Sequence, residues 1–264
     1  MRPATFEALR DIVYASSGIV LTPRKEALLC ARVGRRMRAL GVRDYDAYLD
    51  RVDGDPTEVV NLIDTVSTNV TSFFRESRHF EVVADQAAAW YAAGQRRFRF
   101  WSAACSTGEE PYSLAIALAE RLPHDADVRI LATDISTRVL AAAADAAYTS
   151  ERTDVIDPDV RRRWFDRTST GAGVVWRPKA RIRETVLFRR VNLAAPPYPL
   201  RGPLDAVFCR NVMIYFDAEV RSGILAEAER LLRPGGLLVL GHAESLTRAH
   251  HAFRHFRPSV YRRS

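Results

Sequence analysis

The stretch Phe98–Ala115 constrains the fold of this chain more than any other part of the sequence. It opens with bulky residues typical of a strand, Phe98–Trp101, and continues through small residues, Ser102–Gly108. Pro111 then stands near the first turn of a helix, where its missing N–H costs nothing. A strand, a small-residue turn and a helix start predict a site where a ligand meets backbone amides at the carboxyl end of a parallel strand.

A second predicted strand, Val128–Thr133, ends in Asp134, where an acidic side chain is placed to hold ribose hydroxyls. The turn before it lacks the G-x-G-x-x-G pattern and a P-loop lysine, and its Glu109–Glu110 pair would repel phosphates. A cofactor with a ribose, no phosphate and a positive centre fits better, so the residues favour S-adenosylmethionine. The alternative is an ordinary strand–helix turn that binds nothing.

Length and composition limit the class of protein. With 264 residues, 47% of them hydrophobic, the chain is long enough for one large domain plus a small helical module. It has no apolar run of about 18 residues and no apolar signal core, so we expect a cytoplasmic protein without a membrane span. The three cysteines lie far apart, which argues against disulfides and structural zinc, and we predict no metal.

Residues 1–68 predict an all-helical unit in which Thr57 caps a fourth helix that ends near Val66. The second helix is predicted from about Arg24 to Leu40. Residues 24–43 hold seven basic residues and one acidic residue. This basic surface is either a solvated face, as on most such helices, or a docking surface for an acidic helix or nucleic acid. The net charge of +7 is weak evidence for nucleic acid, because an arginine- and alanine-rich composition also follows from genomic bias.

The rest of the chain alternates predicted strands and helices, as a parallel sheet covered by helices requires. Helices are predicted over about 77–93, 137–147 and 218–232, strands over 204–209 and 237–240, and a closing hairpin over 253–261. Residues 150–188 break this rhythm with a short helix and then short strands around glycine turns, at 174–176, 181–183 and 186–188. We predict a small antiparallel insertion there.

Four strings of residues, in a fixed order, carry a resemblance to a known family. They are N-V-T-S-F-F-R at 69–75, W-S-A-A-C-S-T-G-E-E-P-Y-S at 101–113, A-T-D-I-S at 132–136 and F-C-R-N-V-M-I-Y-F at 208–216. With them the chain resembles, over nearly its whole length, the CheR-type chemotaxis methyltransferases, which methylate glutamates of bacterial chemoreceptors. The second and fourth strings are highly specific when they occur together.

The resemblance implies an α/β fold with a Rossmann-like, S-adenosylmethionine-dependent methyltransferase domain over 69–264. It implies an all-helical, receptor-docking N-terminal domain over 1–68 and a small antiparallel β insertion at about 150–188. The implied reaction is methyl transfer to glutamate side chains in the cytoplasmic domain of chemoreceptors, which forms methyl esters for sensory adaptation. In some members the insertion grips a short C-terminal receptor peptide. We expect no nucleic-acid partner, no membrane insertion and a monomer.

The resemblance also assigns roles to particular residues. Its cofactor-binding positions are Asn69, Thr71, Arg75, Glu109, Asp134, Asn192, Leu193, Arg210 and Asn211. Arg75 and Tyr215 stand at the positions that the family associates with catalysis. The implied receptor-docking residues are Lys25, Arg32, Arg35, Arg36 and Arg43. Plainer interpretations stay open: Arg75 pairing with Glu76, Tyr215 as a core ring, and Glu109 as a first-turn acid favoured by the helix dipole.

A glutamate acceptor explains why the sequence has no Ser-His-Asp or Cys-His signature. A glutamate side chain has a pKa near 4.3 and is ionised at neutral pH, so it needs no general base. A dry pocket that strips its hydration and aligns the reacting atoms would supply most of the acceleration. Two other classes remain: a nucleic-acid methyltransferase, although no Asn-Pro-Pro-Tyr motif is present, and a non-catalytic cofactor sensor, although Arg75 and Tyr215 are intact.

Overall fold

The computed structural model describes residues 1–22, 26–171, 173–246 and 252–264. The N-terminal unit is helical, as the sequence predicts, with α1 (Pro3–Ser17), α2 (Glu26–Leu40), α3 (Tyr45–Gly54) and α4 (Pro56–Val66). The apolar faces of these helices share one core, which includes Leu9, Val13, Val33, Met37 and Leu62. Lys25, a predicted docking residue, lies outside the described residues.

Aspartates begin two of these helices. The Asp44 carboxylate accepts a hydrogen bond from Ala47 N at 3.3 Å, and the Asp55 carboxylate accepts one from Thr57 N at 2.8 Å. Thr57 was predicted as the cap of the fourth helix, and this prediction is wrong. The helix begins at Pro56, whose ring suits the first helical position, and the residue before it therefore becomes the cap.

The strands, in chain order, are β1 (Arg97–Ser102), β2 (Asp127–Asp134), β3 (Tyr148–Thr149), β4 (Phe165–Thr170), β5 (Gly173–Pro178), β6 (Val186–Arg190), β7 (Leu204–Cys209), β8 (Leu232–Leu240), β9 (Phe253–Arg257) and β10 (Val260–Arg263). The main sheet has seven strands in the order β6-β2-β1-β7-β8-β10-β9. The first five of these run parallel, and the closing β9–β10 hairpin adds antiparallel strands at one edge. The α/β class is therefore confirmed.

Helices cover both faces of this sheet. The helices after α4 are α5 (Arg78–Ala92), α6 (Glu109–Arg121), α7 (Thr137–Asp145), α8 (Ser150–Thr153), α9 (Pro158–Trp164), α10 (Ala180–Arg183) and α11 (Ala218–Leu231). Phe98 and Phe100 point into one core with α5 and α6, while Trp101 points into the opposite core with α11, because successive strand side chains alternate between faces. In the part of the chain that the structure describes, no helix is both long and apolar enough to span a membrane.

The antiparallel insertion is a three-stranded sheet in the order β3-β5-β4. Two details of the predicted 150–188 segment are wrong. Residues 181–183 belong to the short helix α10, and residues 186–188 belong to β6, which pairs in parallel with β2 from Ile130↔Val186 to Asp134↔Arg190. A short apolar run does not reveal which sheet it joins, because its partner strand lies far away in the sequence.

The helical unit packs against the sheet domain at the carboxyl ends of the parallel strands. Asn192 Nδ2 donates to Ser16 O at 3.0 Å, and Val20 N donates to Tyr215 O at 2.9 Å. Gly18 ends α1 with a φ of 70°, and a Cβ there would lie 2.5 Å from the Cβ of Ala194. This position therefore requires glycine both for its left-handed backbone and for the close approach of the two units.

Candidate functional site

A cavity of about 260 Å³ lies at the carboxyl ends of β1, β2 and β7, where the helical unit meets the sheet. The structure brings most of the sequence-predicted site residues to its wall, although they come from segments far apart in the chain. These are Asn69, Thr71, Arg75, Asp134, Asn192, Leu193, Arg210, Asn211 and Tyr215. This arrangement follows from the parallel sheet, which brings the loops after its strands together at one edge.

The helical unit supplies one wall of the cavity, which the sequence did not predict. Ser17, Ile19, Leu21 and Val66 all line it. Ser17 ends α1, Ile19 and Leu21 lie in the segment after it, and Val66 ends α4. The ends of two helices therefore close the cavity. The apolar character of residues 19–21 was visible in the sequence, but nothing local indicated that this short segment faces a site in another unit.

The turn after β1 is tied to the tip of β2 by Asp134. Its Oδ2 accepts a hydrogen bond from Ser106 N at 2.9 Å, and its Oδ1 accepts one from Ser136 N at 3.0 Å. Burial raises the pKa of Asp134, against the opposing effect of these amide hydrogen bonds. Gly108, with a φ of 95°, lets the turn pass close to the insertion, since a Cβ there would lie 2.8 Å from Tyr148 Oη.

The structure places Glu110, rather than the predicted Glu109, on the cavity wall. Glu109 is 1% exposed and turns toward the insertion, where its carboxylate accepts from Arg152 NH1 at 2.5 Å and from Thr107 Oγ1 at 2.7 Å. The two residues open the same helix about 100° apart, so only one of them faces the cavity. Burial raises the pKa of the Glu110 carboxyl, although Arg210 and Ser102 stabilise its ionised form.

Arg210 is a buried guanidinium that joins three segments around the cavity. It donates to Glu110 Oε2 at 2.9 Å, to Glu76 Oε2 at 3.1 Å and to the backbone carbonyl of Arg75 at 2.5 Å. Glu76 also accepts from Asn211 Nδ2 at 3.3 Å. Burial, the largest single effect, acts to raise the pKa of Glu76, but the Arg210 charge and the hydrogen bonds from Arg210 and Asn211 together outweigh it, and the pKa is lowered.

Arg75 itself turns away from Glu76. Its NH1 donates to the carbonyl of Val70 at 2.9 Å, within the loop that lines the cavity. The plainer interpretation of Arg75, a pair with Glu76, therefore does not hold, because Glu76 is engaged by Arg210 and Asn211. Arg75 is held by its own loop on the wall of the cavity.

The predicted docking arginines fall into two groups. Arg32 NH1 donates to Val66 O at 2.5 Å and to Ser67 O at 3.0 Å, and Arg36 forms a two-point ion pair with the buried Glu58 at 2.9 and 2.6 Å. These two arginines stabilise the helical unit from within. Arg35 and Arg43 are exposed and remain available to a partner surface.

Within the described ranges, Glu76, His79 and His242 hold metal-ligating atoms within 4.8 Å of one another. The Arg210 guanidinium already bonds the Glu76 carboxylate and would repel a divalent cation there. We assign no metal role to these three residues.

The sequence of the chain matches a known class of enzyme, the methyltransferases that bind S-adenosylmethionine. Residues 69–261 match the family model described as "CheR methyltransferase, SAM binding domain", and residues 4–67 match "CheR methyltransferase, all-alpha domain". The chain belongs to the CheR methyltransferase family, as its motifs predicted.

Curated relatives resemble the chain along nearly its whole length. Chemotaxis protein methyltransferase 2 of Pseudomonas aeruginosa is 40% identical over 258 residues, which cover 97% of this chain and 91% of that protein. The chemotaxis protein methyltransferase of Escherichia coli is 38% identical over 262 residues, which cover 98% and 90%.

Proposed function

We propose that this protein transfers a methyl group from S-adenosylmethionine to the side-chain carboxylate of specific glutamates in chemoreceptors, forming glutamate methyl esters. The observation that carries the proposal is the shared cavity. Residues from widely separated motifs, among them Asn69, Arg75, Asp134, Asn211 and Tyr215, line one space in a chain of the CheR family. The cofactor-binding and catalytic roles of these residues are part of the proposal.

The donor set of the cavity fits S-adenosylmethionine. Asp134 at the tip of β2 offers carboxylate oxygens to ribose hydroxyls, and Glu110 adds a second buried carboxylate beside a cofactor that carries a positive sulfonium. Apolar side chains such as Ile19, Leu193 and Phe216 complete the wall. When bound, the cofactor supplies an electrophilic methyl group. The residues of this chain bind it, orient the acceptor and exclude water.

The acceptor needs little more than orientation. A glutamate carboxylate is ionised at neutral pH, and the cavity wall contains neither histidine nor cysteine among its described residues, as a reaction without a general base allows. The Arg75 guanidinium orients a carboxylate by paired N–H donors, and the Tyr215 hydroxyl steers the acceptor toward the cavity. Apolar walls strip water from the attacking oxygen, which makes it a better nucleophile.

The two parts of the chain divide this work. We propose that residues 1–68 form the receptor-docking domain and residues 69–264 the methyltransferase domain. The exposed Arg35 and Arg43 give the helical unit a positive surface, which fits an acidic receptor helix that carries methyl-accepting glutamates. Arg32 connects this surface to the cavity, because it holds the carbonyls of Val66 and Ser67, which line the cavity.

The test is a methylation assay with S-adenosylmethionine labelled in its methyl group and cytoplasmic fragments of chemoreceptors. We expect alkali-labile label released as methanol, and mass spectrometry of the modified peptide should assign it to glutamate. Arg75→Ala serves as the matched variant: turnover should fall by about a hundredfold or more, while calorimetry still detects S-adenosylhomocysteine binding. Alkali-stable methylation, or methylation of nucleic acid in place of the receptor, would contradict the proposal.

A further inference from the structure

The Glu244 carboxylate, in the loop after β8, is surrounded by backbone amides of two loops. It is 7% exposed and does not line the cavity. Its Oε2 accepts from Asn211 N and Gly241 N, both at 2.8 Å, and its Oε1 accepts from Val212 N at 3.0 Å and Met213 N at 2.8 Å. Each carboxylate oxygen thus holds two N–H groups.

These amides belong to a segment whose conformation needs outside support. Asn211 has a φ of 56°, in the left-handed region that costs energy for a residue with a Cβ. The segment then forms a short 3₁₀ helix, Met213–Tyr215, whose N-cap residue Val212 provides no side-chain cap. The amides of Val212 and Met213, at the start of this helix, have no carbonyl partner within it, and the Glu244 carboxylate accepts from both.

We propose that Glu244 is a positioning residue for the reaction. Its carboxylate fixes Asn211 directly, and through the short helix it fixes Tyr215, in the places that cofactor binding and methyl transfer require. The inference rests on the proposed function, because Asn211 and Tyr215 are functional residues only within it. Glu244 acts through these residues and not by contact with substrate or cofactor.

Gly241 shows how closely the two loops approach. A Cβ at this position would lie 2.5 Å from Asn211 Nδ2, 2.9 Å from Asn211 N and 2.9 Å from Glu244 Oε2. Two of these atoms belong to Asn211 and the third belongs to its acceptor. An alanine here would therefore push on the same contact that Glu244 makes, without removing the carboxylate.

The variant Glu244→Gln tests the carboxylate with almost no change in volume. Whichever way the amide is oriented, one carboxylate oxygen is replaced by an NH₂ group, so two backbone N–H groups lose their acceptor and face a donor. The matched control is Glu227→Gln in α11. Glu227 is also buried and accepts from a backbone amide, Tyr198 N at 2.7 Å. It does not line the cavity, and its hydrogen bonds do not involve Asn211.

The experiment compares both glutamine variants and Gly241→Ala with the unaltered protein. Calorimetry measures the Kd for S-adenosylhomocysteine, the receptor-fragment assay measures kcat and KM, and thermal melts measure stability. We expect both glutamine variants to lower the melting temperature. Only Glu244→Gln and Gly241→Ala should raise the cofactor Kd by about tenfold or more and lower kcat, because only they displace Asn211 and Tyr215.

The outcomes are separable. If Glu244→Gln does not fold, Gly241→Ala carries the comparison. A cofactor Kd within twofold of the unaltered protein in every folded Glu244 and Gly241 variant would overturn the inference, and Glu244 would then only brace the fold. If receptor fragments are not methylated but the variants still weaken S-adenosylhomocysteine binding, the proposed acceptor fails and the positioning role stands. If the unaltered protein does not bind S-adenosylhomocysteine, both fail.

Discussion

The guanidinium of Arg210 and the carboxylate of Glu110 form a buried ion pair at 2.9 Å on the wall of the cavity, with the two side chains 1% and 10% exposed. The charge-assisted hydrogen bond joins the end of β7 to the first turn of α6, so it fixes two loops that enclose the proposed cofactor site.

Because Arg210 and Glu110 are paired, we expect the double variant to lose less stability than the sum of the losses in the two single variants. Arg210→Met leaves the buried Glu110 and the partly buried Glu76 without their cation, so we expect it to lower the free energy of unfolding by about 3–5 kcal/mol. The double variant Arg210→Met with Glu110→Gln should recover part of this loss. Urea unfolding of the four proteins measures the coupling, and independent, additive effects would show that the pair contributes no interaction energy.

The adjacent glutamates of α6 predict opposite phenotypes. Glu110→Gln should raise the Kd for S-adenosylhomocysteine by about tenfold or more, because Glu110 lines the cavity. Glu109→Gln should leave this Kd within twofold and cost about 1–2 kcal/mol of stability, because it weakens the contact with Arg152. Calorimetry and urea unfolding on the pair check this. A larger binding defect in Glu109→Gln would restore the role that the sequence suggested for it.

The arginines of α2 and of the segment after it should have separate effects, some on stability and some on docking. Arg36→Ala removes the partner of Glu58, which is 1% exposed, and should cost about 1–3 kcal/mol of stability. The charge reversals Arg35→Glu and Arg43→Glu should leave the melting temperature nearly unchanged and raise KM for the receptor fragment several-fold. Cofactor Kd should not change in either reversal. Unaltered receptor KM in both would argue against docking through this surface.

His79 predicts a loss of stability on mild acidification. Its pKa is lowered from 6.5 to about 4, first by burial and then by the Arg210 charge, so the unfolded chain binds a proton that the folded protein rejects. The free energy of unfolding is therefore not reduced by His79 above pH 6.5, and it falls by about 2–3 kcal/mol as the pH drops toward 4. Urea unfolding at pH 7 and 4.5 should show a smaller loss in His79→Gln than in the unaltered protein. The exposed His124→Gln should behave like the unaltered protein.

The parts of the site that sequence predicts well are those that follow from strand ends. Asp134 is the last residue of the parallel strand β2, and Asn211 follows the parallel strand β7 by two residues. Such positions converge at the carboxyl edge of a parallel sheet. The helical N-terminal unit could also be predicted from the sequence, because its apolar residues recur with helical spacing.

Several side-chain contacts could not be predicted, because a local pattern does not fix the direction of a side chain. Glu109 and Glu110 are equivalent acids at a helix start, and only the packing of α6 decides which one faces the cavity. Arg32 and Arg36 read as solvent-exposed charges, but their partners lie in or beyond α4, well removed in sequence. Residues 186–188 were wrongly predicted to belong to the insertion for a different reason, since a short apolar run does not show which distant strand it pairs with.

Ile19 and Leu21, contributed by the helical unit, form part of the wall around the proposed cofactor. The two units are therefore not interchangeable modules. A chimaera that keeps the sheet domain and borrows the helices of a distant homologue would alter more than its choice of receptor. The contact between Gly18 and Ala194 would no longer match. Exchange of docking specificity between homologues therefore requires that both sides of this contact be exchanged together with the helices.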